Sequence, residues 1–346
     1  MTSERTRPVY DVGRFFCIAQ PFELGRRIRL KPFRKADFHC DVLWKLLEDP
    51  TLSFIRDDQN KLDVTLPRLK HAGATFQTFA IYVPERMEKT MAPILQIIDL
   101  FYRKVLVSPE MTFIRTGSDI EALERKPGAI GAMLSLEGAD GLQGDPAMLR
   151  ILFRLGVRAA GLTWNHANWA ADGALEARGG GLTKKGRAIV EECNRLGILL
   201  DVSHLCDRAF WDMLNVSSRP IIASHSNCRS HCPHPRNLSD DQIKALLAQG
   251  GLIGVTYVPQ FVSAGVSAGI ADVLRHIERI CEFGGERQLM FGSDFDGIER
   301  YVDGLTHPGE LHRLQDALLA RYPETLVKAF FERNAMAFLA MHLPRG

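Results

Sequence analysis

No run in this chain reaches the ~20 consecutive apolar residues that a membrane-spanning helix needs, and the apolar stretch 15–19 is too short and too late for a signal-peptide core. An excess of one charge is also missing. The 43 Lys and Arg against 41 Asp and Glu leave a formal net charge of +2, which argues against a nucleic-acid or acidic-membrane partner and for a small-molecule one. Cysteine is sparse and badly spaced for a disulfide framework: seven residues, an odd number, are expected to stay reduced in the cytoplasm. No solenoid-length repeat is visible, and no low-complexity tract exceeds the glycine triplet 179–181. These absences predict a cytoplasmic protein without a membrane anchor.

What is present is ordinary globular composition, 46% hydrophobic and 24% charged over 346 residues, enough for one large barrel or two smaller domains. Basic residues crowd the start, from Arg5 to Lys35, and read as a solvated arm over 1–30. Residues 31–346 read as a single domain. Short apolar runs bounded by Gly, Pro or polar residues predict eight strands, near 36–40, 74–83, 129–136, 157–163, 198–203, 220–224, 252–258 and 288–293. Helical patterns fall between them at 86–114, 119–126, 146–155, 184–196, 207–214, 240–249 and 270–283. Ser239 is a fitting N-cap for the sixth of these helices, and Gly250 with Gly251 a fitting stop. Strand then helix, repeated, implies parallel pairing with right-handed crossovers, so the expected fold is an α/β, (β/α)8 TIM-type barrel with a C-terminal helical extension over 305–343. The Gly-rich, charged stretch 170–185 reads as a mobile loop at the barrel mouth, a candidate lid.

The strands end on chemistry. His39 and Asp41, two apart, point to the same side; Glu137, His204, His225 and Asp294 close four further runs. Each alone reads equally well as a hydrogen-bonded structural group. In a parallel barrel, however, all strand ends meet at one mouth. Three imidazoles and two carboxylates there suit two divalent metals sharing a bridging carboxylate, with zinc favoured by the mixed nitrogen and oxygen donors. Such a pair supports hydrolysis, and Asp294, in FGSDFDG, is placed to move the proton, with Asp296 its rival. A structural zinc knuckle in HSNCRSHCPHPR is a weaker reading, because no second ligand pair follows it.

The stretches DFHCDVLW, LSLEGAD, LTWNHANWAADG, GLTKKGRAIVEECNRLGILLDVSHL, IIASHSNCR, PRNLSDDQI and FGSDFDG together resemble the renal, or membrane, dipeptidase family of the amidohydrolase superfamily, in a soluble bacterial-type form. The resemblance implies two zinc ions per subunit, with His39 and Asp41 on one, His204 and His225 on the other, and Glu137 bridging. It implies further that Arg236 holds the substrate carboxylate or the developing oxyanion, that Asp294 contacts substrate and transfers the proton, and that a metal-bridging hydroxide attacks. The expected activity is hydrolysis of dipeptides, including those with a C-terminal D-residue, and the expected assembly a homodimer. Trp164 stands where the mammalian pattern has His; His166, two residues on, is expected to share its strand face and take its place in substrate binding. A lactone or cyclic-amide hydrolase is the rival enzyme reading, separated by whether Arg236 is needed. A decayed scaffold is the non-enzyme reading, separated by metal content.

Overall fold

The computed structural model describes residues 33–56 and 61–345. The arm expected over 1–30 lies outside the described residues. Nine parallel strands are present: β1 (Lys35–Asp37), β2 (Ala74–Tyr82), β3 (Met111–Phe113), β4 (Ile130–Glu137), β5 (Val157–Gly161), β6 (Leu199–Asp201), β7 (Ile222–Ala223), β8 (Leu252–Val255) and β9 (Leu289–Phe291). Eight of them run in the order β1-β2-β4-β5-β6-β7-β8-β9, and β3 pairs on the side with β4. The ring closes where the Phe38 N–H donates to the Phe291 carbonyl at 2.9 Å and Cys40 bridges Phe295 in parallel. The protein is therefore a TIM-type barrel of the α/β class.

A single interior layer explains how the sequence fills it. Ala36, Phe76, Met133, Ala159, Leu199, Ile222, Leu252 and Met290, one from each barrel strand, form one buried cluster with Phe38, and Ala335, Met336, Phe338 and Leu339 of the helix Asn334–His342 complete it from below. Two alanines, Ala36 and Ala159, stand among six larger side chains round the ring, which together fill the narrow lumen. Each large apolar side chain buried there stabilises the fold by about 1.5–3 kcal/mol. The C-terminal helices thus plug the floor of the barrel and leave the opposite rim free for chemistry.

Sequence and structure part in three places. The pattern 86–114 was expected to be helical in one or two pieces, but it divides into the helix Met91–Leu100, one wider turn Phe101–Val105, and β3. β3 exists because Met111 to Phe113 pair with Ile130 to Ala132, a partner that local periodicity does not reveal. The helices Val42–Glu48 and Leu66–Ala72 were not expected; each is only 7 residues long, too short for a clear apolar stripe. Lys35, read as part of the arm, is instead buried at the floor, where its ammonium donates to Gln315 Oε1 at 3.1 Å and to the carbonyls of Phe33 and Ala72, both at 3.0 Å. Ser239 does cap its helix through a reciprocal box with Gln242.

The six cysteines among the described residues are all free thiols, in keeping with a reduced chain. No helix among the described residues is long and apolar enough to cross a membrane.

Candidate active site

Strand ends build the site. His39 and Asp41 follow β1, Glu137 is the last residue of β4, His204 follows β6, His225 follows β7 and Asp294 follows β9. All of these face one another. His39 Nε2 lies 3.4 Å from Glu137 Oε2, 3.5 Å from Asp41 Oδ2 and 3.6 Å from Asp294 Oδ1. The other Glu137 oxygen, Oε1, lies 2.8 Å from His204 Nε2 and 3.9 Å from His225 Nε2. One carboxylate therefore serves two sides of the cluster with separate oxygens.

The surroundings fix which ring nitrogen faces inward. Ser224 gives its hydroxyl hydrogen to Asp201, so at 2.7 Å it must accept from the Nδ1–H of His225. His204 Nδ1 lies 2.9 Å from Asn165 Oδ1, an acceptor only, so it too carries its hydrogen on Nδ1. Both Nε2 lone pairs consequently point into the cluster, and they are 2.9 Å apart. Two such lone pairs repel unless a cation lies between them. Asp201 itself is anchored by the N–H groups of Ser203 and Ser224, both at 3.0 Å, and Asp37 holds β9 in the same manner through Ser293.

Electrostatics agree with this assignment. Burial holds the His204 imidazole down at about 4, and burial with the positive charge of its neighbours lowers His225 well below its ordinary value, so both rings stay neutral and available as ligands. Burial also lowers His39, but the charges of Glu137 and Asp41 outweigh it and push that ring's proton affinity well up. Burial, then the charges of Asp41 and Glu137, push the Asp294 carboxyl well up. His39 Nδ1 and Nε2 and Asp41 Oδ1 are buried without a hydrogen-bond partner. Orphan donors and crowded carboxylates of this kind fit divalent cations. Among the described residues, two groups have ligand atoms close enough to share an ion, His39 with Glu137 and His225, and His39 with Asp41 and Asp294.

Three unusual backbone positions serve the same end. His204, Asp294 and Asp296 adopt φ of 78°, 68° and 67°, rarely taken by side chains of this kind, and each lies at the mouth. Gly297 is required beside them, since a Cβ there would stand 2.3 Å from Asp41 Oδ2 and 2.7 Å from Asp294 Oδ1. Asp296 has a different task from its neighbour. Its carboxylate accepts the N–H groups of Asp63 at 2.8 Å and Val64 at 2.9 Å, which ties the loop before the helix Leu66–Ala72 to the rim.

Arg236 would read as a surface residue from its local sequence, yet it is 4% exposed. Its guanidinium packs over Phe261, and Nε and one Nη have no partner among the described residues. Asp294 and Glu137 lie within its electrostatic reach. A buried fork with unspent donors suits a carboxylate.

His166 is placed otherwise than the strand-face argument expected. β5 ends at Gly161, so period-two alternation no longer applies at 164–166, and the His166 side chain is 57% exposed, 3.9 Å from Glu85. Asn165, which the sequence reading passed over, is the residue of that segment hydrogen-bonded to a site imidazole. The stretch 170–185 also differs from a mobile lid. Asp172 accepts from Arg178 and from the Gly180 N–H, Cys206 donates to the Gly180 carbonyl, the Ala174 N–H donates to His204 O at 2.7 Å, and the Leu175 N–H to Asn165 O at 2.8 Å. It is a strap that holds Asn165 and His204 in place. The zinc knuckle does not assemble either: Cys228 N–H donates to His276, Cys232 to the Gln260 carbonyl, and the His234 ring packs on Phe261.

Comparison with known proteins places this geometry. The family model described as membrane dipeptidase, peptidase family M19, matches residues 27–341. The dipeptidase aclJ of Aspergillus oryzae is 31% identical over 285 residues, 78% of this chain and 67% of that protein. A metallopeptidase from Rhodobacter sphaeroides, solved with a phosphinate mimic of the dipeptide L-Ala-D-Ala, superposes with a TM-score of 0.82 at 26% identity over 90% of this chain and 99% of the other. A solved structure of a dipeptidase described as a metallopeptidase of family M19 gives 0.83 at 28% identity, covering 90% and 98%. The chain belongs to the membrane dipeptidase family of metallopeptidases, peptidase family M19, hydrolases that act on peptide bonds.

Proposed function

We propose that the protein is a binuclear zinc dipeptidase in which Glu137 is shared between the metals, His39 and Asp41 serve one and His204 and His225 the other. The observation that carries this reading is the split of Glu137, with Oε2 turned to His39 and Oε1 to His204 and His225. Bound zinc polarises the peptide carbonyl and makes a water nucleophilic at neutral pH. The chain's own residues do the rest. Arg236, with its unspent donors, holds the substrate's free carboxylate and so sets the length of what is cleaved. Asp294, partly buried with Oδ1 3.6 Å from His39 Nε2, would in its ionised form accept the proton lost by the attacking water and deliver it to the departing amine. Glu137, with Oε1 2.8 Å from His204 Nε2 and Oε2 3.4 Å from His39 Nε2, would hold both sides of the cluster to one charge.

The solved relative bound to a mimic of L-Ala-D-Ala supports extending the substrate range to dipeptides with a D-residue at the carboxyl end. His166, exposed at the rim beside Glu85, is kept as a substrate contact reached only by a ligand that fills the mouth. A cytoplasmic site of action, a homodimeric assembly, a separate arm over 1–30 and a single domain from 31 onward complete the proposal. Purified, zinc-replete protein should hydrolyse alanine-ending dipeptides of both L,L and L,D configuration and bind two zinc ions per chain. Absence of turnover across that panel would reject the activity, and a single bound ion would reject the shared carboxylate.

A further inference from the structure

The rim above Glu137 carries aromatic rings that the hydrolytic chemistry does not use. Tyr82, the last residue of β2, stands in register with Glu137, and Trp164 follows β5 on the other side of β4. Their rings meet across β4 at 5.3 Å, Trp164 reaches the His204 ring at 6.2 Å, and Trp44 braces Tyr82 edge-on at 5.6 Å. Trp164 is only half-buried. Neither the Tyr82 hydroxyl nor the Trp164 indole N–H has a hydrogen-bond partner among the described residues. The rings are therefore held by their neighbours; Tyr82 is buried, at 9% exposure, and the area open at the mouth belongs to Trp164.

Ring order gives this wall a direction. In the closed sequence β1-β2-β4-β5-β6-β7-β8-β9, β2 and β7 lie opposite each other. Arg236 comes from the loop beyond β7 and packs on Phe261 beyond β8, so it faces Tyr82 across the mouth. A dipeptide whose carboxylate sits at Arg236 and whose peptide carbonyl lies over the metal cluster has one part left, its amino-terminal residue. That part extends toward Tyr82 and Trp164.

We propose that Tyr82 and Trp164 are specificity-determining residues that select dipeptides with an aromatic or large apolar amino-terminal side chain. The proposal rests on the dipeptidase reading. Apolar area presented by rigid aromatic faces rewards a matching side chain and gives nothing to glycine. Discrimination by such a pocket is roughly 10–200-fold per apolar increment, so kcat/KM for Phe-Ala should exceed that for Gly-Ala by at least about tenfold.

The test measures kcat/KM for Gly-Ala, Leu-Ala and Phe-Ala with the zinc-loaded wild type and with Trp164→Ala, Tyr82→Ala and Trp164→Phe, each checked for zinc content and a cooperative melt. Calorimetric binding of the same peptides to Asp294→Asn supplies a readout independent of turnover. The Phe-Ala to Gly-Ala ratio should fall about tenfold in either alanine variant and persist in Trp164→Phe. Should Trp164→Ala fail to fold, the wild-type ratio with Tyr82→Ala and Trp164→Phe still decides. Hydrolysis of all three peptides without preference would overturn the wall and leave the dipeptidase standing. Absent turnover with selective binding of Phe-Ala would do the reverse.

Discussion

His276 offers a stability test that leaves the strand-end cluster untouched. It lies fully buried on the helix Ile270–Glu282, where its Nε2–H donates to the Val262 carbonyl at 2.9 Å and its Nδ1 accepts the Cys228 N–H at 3.1 Å. That pair of bonds fastens the loop that carries Arg236. Burial first, then the nearby His231 and Arg275, lower the ring to about 4 against an ordinary value of 6.5. Protonation would remove the acceptor that Cys228 needs, so the folded state resists the proton while the unfolded chain takes it up. The sign follows from linkage: stability is full above pH 6.5 and is lost as pH falls toward about 4. A gap of about 2.5 at 1.36 kcal/mol for each pH unit makes the loss about 3 kcal/mol. Urea unfolding of the wild type and of His276→Gln at pH 7.5, 6 and 4.5 should show the variant, already weaker at pH 7.5, losing about 3 kcal/mol less on acidification. Differencing the two cancels the acid response of the strand-end cluster. Parallel losses in both proteins would refute the reasoning.

Three further outcomes are expected. Asn165→Ala removes the acceptor that sets the His204 tautomer, and zinc affinity should fall roughly 10–100-fold in a chelator competition, with the fold retained. Gly173→Ala would put a Cβ 2.3 Å from Trp164 O and 2.4 Å from the Asn165 carbonyl carbon, so overpacking should cost about 1–3 kcal/mol in thermal or urea unfolding and loosen the strap. Arg236→Lys keeps the charge but loses the planar fork, so KM for a dipeptide should rise roughly tenfold to a hundredfold while kcat changes less.

Much of the site was legible because barrel topology turns a one-dimensional pattern into a place. An apolar run that stops at His39, Glu137, His204, His225 or Asp294 says where a strand ends, and parallel strands bring those ends to one rim. The same logic failed for His166, since it assumed that β5 continued past Gly161 when the chain had already turned. Asn165 carried no signal of its own. Its role depends on His204, thirty-nine positions away, being in left-handed geometry with Nδ1 turned toward it.

By itself, the sequence determined the alternation of strand and helix, the polar side chains that stand at the strand ends and the absence of a long apolar span, because these follow from local periodicity and residue chemistry. Only the tertiary structure decided that Glu137 divides its oxygens between His39 and the His204–His225 side, that Arg236 is buried with unspent donors, and that the strap 170–185 is tied down. β3 is the plainest case, three residues that are a strand solely because β4 lies beside them. Distances between groups far apart in the chain are set by closure of the barrel, and no stretch of sequence contains them.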